Sequence, residues 1–179
     1  NTYLYMGTDN GILIYNYRTD RYEQPATDFP TDVRTMALQG DTLWIGALNG
    51  LYTYQLQNRK LSPLGTKRNG LPHNTIYSII RTGDNQIYVG TYNGLCRYIA
   101  SNGKFEKIPL PVNSSQSNLF VNSLLEDTGR QCIWIGTEGY LFQYFPSTGQ
   151  MKQTEAFHNN SIKSLALDGN GYLLAGTDN

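Results

Sequence analysis

The chain has 179 residues, of which 39% are hydrophobic and 16% are charged, and this apolar content is enough for a folded domain with a buried core. Fourteen basic residues balance fourteen acidic ones, so the sequence lacks the positive excess that nucleic-acid-binding proteins use to contact phosphates. No apolar run approaches the roughly 20 residues that a transmembrane helix needs, and no charged and then apolar leader opens the chain. We therefore expect a segment that contacts no nucleic acid and does not insert into a membrane.

A strand, turn and strand pattern occurs four times along the chain, and a fifth copy begins near its end. The copies are LYMGTDNGILIY (4–15), LWIGALNGLYTY (43–54), IYVGTYNGLCRY (87–98), IWIGTEGYLFQY (133–144) and the beginning LLAGTDN (173–179). An Asn-Gly pair in three of the copies favours a tight hairpin. We predict a two-residue type I′ turn with Asn and Gly at its two central positions.

Two further strands flank each hairpin, one before it and one after it. The strand before it has the sequence VRTMAL (33–38), IYSIIR (76–81), VNSLLE (121–126) or IKSLAL (162–167). The strand after it contains a residue that follows the last hairpin tyrosine by seven positions, namely Tyr22, Leu61, Phe105 or Met151. Four short strands in about 40 to 45 residues, without helical periodicity, are typical of a β-propeller blade.

The fold predicted from this repeat is all-β: a β-propeller of about four blades, each of four antiparallel strands. Residues 1–179 form a single propeller segment with a partial blade at 1–24, blades at 31–64, 75–107 and 120–152, and a partial blade at 161–179. Both termini carry the second strand of a blade, so joining them would duplicate a strand. We expect a fragment of a larger propeller, of the seven-bladed type, that does not close a ring by itself.

Packing between blades is predicted from the second strand, which is apolar on both faces. Its aromatic column contains Tyr5, Trp44, Tyr88 and Trp134, with Leu174 in the last copy. We expect Trp44 and Trp134 to be buried between blades. The glycine after the column either allows close approach of the next blade or frees the strand end to turn. The threonine that then follows can bond a local backbone group, although Ala47 replaces it in one copy.

Acidic residues and cysteines have structural interpretations. Asp41, Asp84, Asp127 and Asp168 occur between the first and second strands, where we expect them to cap the turn through local side-chain to backbone bonds. Cys96 and Cys132 lie in unrelated contexts, which excludes a CxxC motif. Two buried free thiols are favoured over a disulfide. No sequence motif predicts a cofactor, a metal site or catalytic residues, so we expect no enzymatic activity from this segment.

The repeat resembles the two-component regulator propeller repeat. The motifs that carry this resemblance are WIGT at the end of the second strand, NGL after the same strand in other copies, and the lead-in GLPHNTIYSI (70–79). This resemblance covers essentially the whole chain and is strongest over residues 70–98. It implies the extracytoplasmic, periplasmic sensor region of a Bacteroides-type hybrid histidine kinase. It also implies a homodimer, the rest of the propeller as a partner, and signal transduction through a phosphorelay in the parent protein.

A ligand site is predicted on one face of the propeller, where the loops between blades meet the turns between second and third strands. These loops vary in length while the hairpin does not, as expected for a scaffold that carries a binding site. The candidate ligand-binding residues are Arg68, Asn69, His73, Asn74, Tyr92, Asn93 and Glu138. Further polar residues on this face are Asn49, Asn113, Ser114, Ser115, Gln116 and Asn118, and His158 lies in another such loop.

The amides, hydroxyls and aromatic ring of this face suit a neutral oligosaccharide, and they equally suit an ordinary hydrated loop surface. Three functions therefore stay open. The first is a ligand sensor, the second is a protein-interaction scaffold without a small-molecule ligand, and the third is a propeller glycosidase or lyase. The third is least favoured because no arginine cluster or Tyr-Glu pair marks sialidase chemistry.

Overall fold

The computed structural model describes residues 2–23, 28–65, 69–111, 119–155 and 160–178, and the regular secondary structure in these ranges is almost entirely β-strand. Sheet 1 contains β1 (Tyr3–Thr8), β2 (Gly11–Asn16) and β3 (Arg21–Glu23). Sheet 2 contains β4 (Val33–Gln39), β5 (Thr42–Ala47), β6 (Gly50–Gln55) and β7 (Lys60–Leu64). Sheet 3 contains β8 (Ile76–Arg81), β9 (Ile87–Thr91), β10 (Gly94–Ile99) and β11 (Lys104–Ile108).

Sheet 4 contains β12 (Val121–Asp127), β13 (Cys132–Thr137), β14 (Leu141–Phe145) and β15 (Gln150–Thr154). Sheet 5 contains β16 (Ile162–Leu167) and β17 (Leu173–Thr177). All the strand pairs are antiparallel, and sheets 2, 3 and 4 are four-stranded meanders. The predicted all-β propeller fold is confirmed. No strand of one sheet pairs with a strand of another in the described ranges.

Third and fourth strands pair in the register that the repeat predicts. The tyrosine that ends each hairpin lies directly opposite the residue seven positions later. The pairs are Tyr15 with Tyr22, Tyr54 with Leu61, Tyr98 with Phe105, and Tyr144 with Met151. The seven-residue spacing in the sequence therefore predicts correctly which residues of the third and fourth strands lie opposite each other.

The turn between second and third strands differs from the predicted type I′ turn. Thr8 pairs with Gly11 and Thr91 with Gly94, so glycine is the fourth residue of the turn and not a central one. The positive φ angles are those of Gly11 (115°) and Gly94 (103°). The preceding threonine stabilises this turn, because its Oγ1 accepts the N–H of the central asparagine and donates to the glycine carbonyl. The hydroxyl is not required for the pairing, since Ala47 lies opposite Gly50 in the same way.

These threonine bonds confirm the role predicted for Thr8, Thr91 and Thr137, whose hydroxyls donate to a backbone oxygen three residues later at 2.9–3.0 Å. We expect Thr91→Val to lower the free energy of unfolding by about 1 kcal/mol, because the valine cannot bond the buried turn. Urea unfolding measures this loss. Thr8→Val is the matched control, since its hydroxyl makes the same bond at a more exposed position. Equal losses in the two variants would contradict a contribution from burial.

The recurrence of glycine in the second strand of every copy has a packing reason. A Cβ atom on Gly46 would lie 2.5 Å from Ile76 Cγ2, and one on Gly136 would lie 2.6 Å from Ile162 Cγ2. Each of these isoleucines begins the first strand of the following sheet. The predicted close approach of the next blade is confirmed, because any larger residue would overlap that neighbour.

Aromatic residues of the second strand pack against the next sheet, as predicted. Trp44 is 3% exposed and Trp134 is 8% exposed. The Trp44 ring lies 4.9 Å from Tyr98, Tyr5 lies 6.5 Å from Tyr54, and Tyr88 lies 6.2 Å from Tyr144, measured between ring centroids. The cores therefore lie between adjacent sheets. Leu174, the last member of the column, is 54% exposed.

The four aspartates do not share one role, so the prediction of a common turn cap is only partly correct. Asp127 and Asp168 do accept local backbone N–H groups at 2.7–2.9 Å. Asp41 and Asp84 instead accept from the side chains of Gln57 and Thr82. The turn of sheet 2 is shorter, with Gln39 opposite Thr42. The turn of sheet 3 is as long as that of sheet 5, but there the Thr82 hydroxyl takes the capping position by accepting the Gln86 N–H.

Cys96 and Cys132 are both buried free thiols, as favoured from the sequence. Burial raises the pKa of each thiol above its ordinary value. Among the residues described, no helix is long and apolar enough to cross a membrane.

Candidate functional site

The loops between blades and the turns between second and third strands lie on one face of the sheets, as the sequence analysis predicted. Backbone hydrogen bonds join them: the Tyr92 N–H donates to Thr75 O at 3.0 Å, and the Gly94 N–H donates to Leu119 O at 2.9 Å. The Thr75 hydroxyl also donates to Leu48 O at 3.0 Å. We call this surface the loop face.

An aromatic cluster occupies the loop face between sheets 2, 3 and 4. The His73 ring lies 4.9 Å from Tyr92, and the Tyr92 ring lies 4.1 Å from Phe120 in an edge-to-face arrangement. The Tyr77 ring lies 6.1 Å from Phe120, also in an edge-to-face arrangement. All four side chains are half-buried. We call these four residues the ring cluster, and it brings together two loops, one turn and one strand that are distant in sequence.

Local structure orients His73 within the ring cluster. Its Nδ1 accepts the Thr75 N–H at 3.0 Å. In the neutral imidazole the proton is then assigned to Nε2, which makes that atom a hydrogen-bond donor. The ring cluster therefore combines aromatic faces with a donor that is held in a defined orientation.

The structure brings together only some of the predicted site residues. His73 and Tyr92 are in contact, and the exposed side chains of Asn74 and Asn93 flank them in sequence, with Asn69 half-buried earlier in the same loop. The Asn93 N–H donates to Thr91 Oγ1 at 3.1 Å. Lying outside the described residues are Arg68, Asn113, Ser114, Ser115, Gln116, Asn118 and His158. Asn49 accepts a hydrogen bond from the Tyr52 hydroxyl at 3.3 Å.

Glu138 belongs to a different group on the loop face. Lys163 Nζ donates to it at 2.8 Å and Asn122 Nδ2 at 3.2 Å, and a β-bridge joins it to Ser161. Lys163 also lies 3.3 Å from Asp178. The bond from Lys163 lowers the pKa of Glu138, and the same bond raises the pKa of Lys163. Glu138 therefore joins sheets 4 and 5, and no described contact links it to the ring cluster.

Phe120 and Tyr77 are members of the ring cluster that sequence reasoning missed. Each stands next to the first residue of a first strand, Phe120 before Val121 and Tyr77 after Ile76. Their aromatic character was the available signal. It was not usable alone, because a chain with fourteen tyrosines and six phenylalanines offers many such positions.

The opposite face of the sheets holds two concavities. A cleft of about 640 Å³ lies between sheets 3 and 4 and is lined by residues that include Asp84, Tyr88, Arg97, Glu126 and Cys132. Both carboxylate oxygens of Glu126 accept the Gly83 N–H, at 2.9 and 3.0 Å, which ties the two sheets together there. A second groove, of about 500 Å³, runs beside β1. Among the described residues, no group of three or more His, Cys, Asp and Glu side chains could hold a metal ion.

Comparison with known proteins identifies a family repeat and a similar solved structure. The family described as Two component regulator propeller matches residues 70–93. The extracellular domain of BT4673 from B. thetaiotaomicron is 89% identical over 99% of this chain, with a TM-score of 0.95. One description assigns BT4673 to a one component system and another to a hybrid two component system. This chain spans 24% of the length of that structure.

More distant structures share the fold. The extracellular domain of BT3049, a hybrid two component system protein of the same organism by its description, is 19% identical over 99% of this chain and 24% of its own, with a TM-score of 0.75. The β-propeller domain of Myceliophteria thermophila Cps50 (Swd1) is 13% identical over 98% of this chain and 58% of its own, with a TM-score of 0.74. Among curated proteins, no match to the sequence is found.

Proposed function

This chain carries a two-component regulator propeller repeat, and from that premise we propose that it is a ligand-sensing part of the extracytoplasmic region of a hybrid two-component histidine kinase. Support comes from the description of BT4673, at 89% identity, as an extracellular domain. In this proposal the segment itself binds a signal molecule on the periplasmic side. The phosphorelay chemistry belongs to other parts of the longer protein.

The ring cluster is the proposed ligand site, and the observation that carries this proposal is the position of Tyr92 between His73 and Phe120, at 4.9 and 4.1 Å. Half-buried aromatic rings offer flat apolar surfaces on which the C–H faces of a sugar ring can pack. The exposed amides of Asn74 and Asn93 lie beside them and can bond hydroxyl groups. A neutral oligosaccharide is therefore the proposed ligand class, since it needs both apolar faces and uncharged hydrogen-bonding partners.

The site also suggests how binding is transmitted. His73 precedes sheet 3 in a loop from sheet 2, whereas Phe120 lies in the loop that leads to sheet 4. A ligand that contacts both loops stabilises one relative arrangement of three blades. Binding then shifts the population of a dimeric receptor towards the state that has this arrangement, because a ligand favours the conformation that it binds more tightly.

We expect at least one neutral oligosaccharide from a broad glycan panel to raise the unfolding temperature of the chain, by mass action on the folded state. Tyr92→Ala should weaken that binding by at least about tenfold, or 1.4 kcal/mol, in isothermal titration. Asn93→Ala, which alters an exposed side chain, should weaken it without affecting folding.

Tyr172→Ala is the matched control, because Tyr172 is 69% exposed and lies in a turn on the opposite face. The Tyr172→Ala variant should bind the oligosaccharide with the same affinity as the unchanged chain. If no glycan shifts the unfolding temperature, the protein-interaction scaffold replaces the sensor as the favoured function. Turnover of the bound glycan would instead favour the glycosidase or lyase.

A further inference from the structure

The cleft between sheets 3 and 4 lies on the face opposite the loop face, away from the ring cluster, and has a volume of about 640 Å³. The buried side chains of Tyr88 and Ile133 form its floor. Asp84, Arg97 and Glu126 line its more exposed part. Pockets of roughly 300 to 1,000 Å³ hold small organic molecules in proteins. This cleft therefore has the size of a second small-molecule site.

The floor of the cleft has a tyrosine at a position where sheets 2 and 4 have tryptophan. Tyr88 corresponds in the repeat to Trp44 and Trp134. The Trp44 ring lies 4.9 Å from Tyr98 of the following sheet, whereas the Tyr88 ring lies 6.2 Å from the corresponding Tyr144, measured between ring centroids. Because tyrosine is smaller than tryptophan, it leaves space at this interface that an indole fills at the others.

The residue that spans the gap between sheets 2 and 3 is replaced by a shorter one at this interface. Gln39 accepts the Trp44 N–H at 3.0 Å and donates to Asn85 O of sheet 3 at 2.8 Å. The corresponding residue of sheet 3 is Thr82, whose hydroxyl accepts the Gln86 N–H at 3.1 Å within its own turn. The space between Thr82 and sheet 4 is therefore part of the cleft.

Two carboxylates without a basic partner line the exposed part of the cleft. Glu126 of sheet 4 accepts a backbone N–H from the turn of sheet 3 that contains Asp84, so the two acidic residues meet at the boundary between the sheets. Within the described ranges, neither of them forms an ion pair. The other charged residues of the lining already have partners, since Arg97 pairs with Glu106 at 2.7 Å and Asp127 pairs with Arg130 at 2.9 Å. The uncompensated negative charge of the cleft favours a cationic ligand.

We propose that this cleft binds a small organic cation in which an aromatic ring is joined to an ammonium group. The ring packs on the floor beside Tyr88 and Ile133, in the space that an indole fills between the other sheets. The ammonium donates to Asp84 and Glu126 through charge-assisted hydrogen bonds, which are stronger than neutral ones. This site is separate from the ring cluster and does not depend on the function proposed for that cluster.

Tryptamine is the probe that tests the proposal, because it joins an indole to a primary ammonium. N-acetyltryptamine keeps the indole and lacks the charge. We expect tryptamine to bind the chain at least tenfold more tightly than N-acetyltryptamine in isothermal titration. Indole-3-propionate, which has the same ring and a carboxylate, should bind more weakly still. Absence of tryptamine binding, or equal affinities for tryptamine and N-acetyltryptamine, would overturn the proposal.

Two variants test whether the cleft is the site. Tyr88→Trp gives this interface the residue that sheets 2 and 4 have there, so it should weaken tryptamine binding at least tenfold and retain the midpoint of urea unfolding. Glu126→Gln removes a charge and keeps an acceptor for the Gly83 N–H. It should weaken tryptamine binding at least tenfold and leave the affinity for N-acetyltryptamine unchanged.

Asp41→Asn is the matched control for charge, because Asp41 is an exposed carboxylate in the turn between the first and second strands of sheet 2. This variant should bind tryptamine as tightly as the unchanged chain. The cleft is not the site if Glu126→Gln and Asp41→Asn have the same affinity for tryptamine. The same conclusion follows if Tyr88→Trp folds normally and still binds tryptamine as tightly as the unchanged chain.

Discussion

Replacing Trp44 by alanine is expected to lower the free energy of unfolding by about 3–5 kcal/mol, as truncation of a large aromatic side chain in a core does. The side chain is 3% exposed and packs edge-to-face on Tyr98 of the next sheet. Its Nε1–H also donates to Gln39 Oε1 at 3.0 Å, and Gln39 Nε2 donates to Asn85 O of sheet 3 at 2.8 Å. The substitution therefore removes the apolar contact with Tyr98 of sheet 3 and the hydrogen bond that orients Gln39 towards Asn85.

Urea unfolding followed by circular dichroism measures this loss. Trp44→Phe retains an aromatic ring against Tyr98 but lacks the N–H, so we expect an intermediate loss. Trp134→Ala should behave like Trp44→Ala, because Trp134 is also buried between sheets. A loss below about 1 kcal/mol for Trp44→Ala would be that of a surface substitution and would contradict the packing described above.

Replacing Asp127 by alanine is expected to lower the free energy of unfolding by about 1–3 kcal/mol, because the buried Trp134 N–H loses its acceptor. Asp127 is 2% exposed, and its Oδ2 accepts from Trp134 Nε1 at 3.0 Å and from Arg130 Nη1 at 2.9 Å. Arg130 Nη1 also donates to Gly171 O of sheet 5 at 3.0 Å. The carboxylate therefore positions a side chain that ties sheet 4 to sheet 5.

The same carboxylate should make the stability depend on pH. Burial by itself raises the pKa of Asp127, but the hydrogen bonds from Trp134 and Arg130 outweigh it, and the pKa of Asp127 lies below its ordinary value. A pKa that is lower in the folded state stabilises the protein above the unfolded pKa, and this contribution is lost as the pH falls through the folded pKa. Asp127→Ala should therefore cost less at about pH 3 than at about pH 7.

Unfolding in urea at the two pH values, with and without the substitution, measures this difference. Asp41→Ala is the matched control, since Asp41 is exposed at the same turn of another sheet and its side chain accepts from an exposed glutamine. We expect Asp41→Ala to lower the free energy of unfolding only slightly, and by nearly the same amount at the two pH values. An Asp127→Ala loss that is the same at both pH values would show that the charge of the carboxylate does not contribute.

Interactions within one repeat were predictable, because most repeats form the same turn and the same strand pair with residues of the same type. Thr91 bonds its own turn, and Tyr98 pairs with Phe105 seven residues later, so comparison of the copies was enough to find both. The turn geometry was predicted wrongly, because Asn-Gly alone favours a type I′ turn with glycine at a central position. In the structure the strand pairing places glycine fourth, opposite Thr91 in one copy and opposite Ala47 in another.

Residues of the candidate site were predictable only in part, because they come from different repeats. His73 and Tyr92 are 19 positions apart and Phe120 is 28 positions further along, and neither spacing follows the period of the blade. Glu138 was grouped with them by its place in the turn, but its carboxylate bonds Lys163 of the next sheet. The choice between these partners depends on how far each loop reaches over its neighbour, which the repeat pattern does not contain.

The sequence by itself determined the strand order, the pairing of third with fourth strands and the burial of Trp44 and Trp134, since the same strand, turn and strand pattern recurs in each copy and the second strand is apolar on both faces. Only the tertiary structure decided which faces meet. The ring cluster and the ties made by Gln39 and Arg130 all lie between sheets. Their geometry depends on the angle and separation of neighbouring blades, and these follow from the packing of many side chains together.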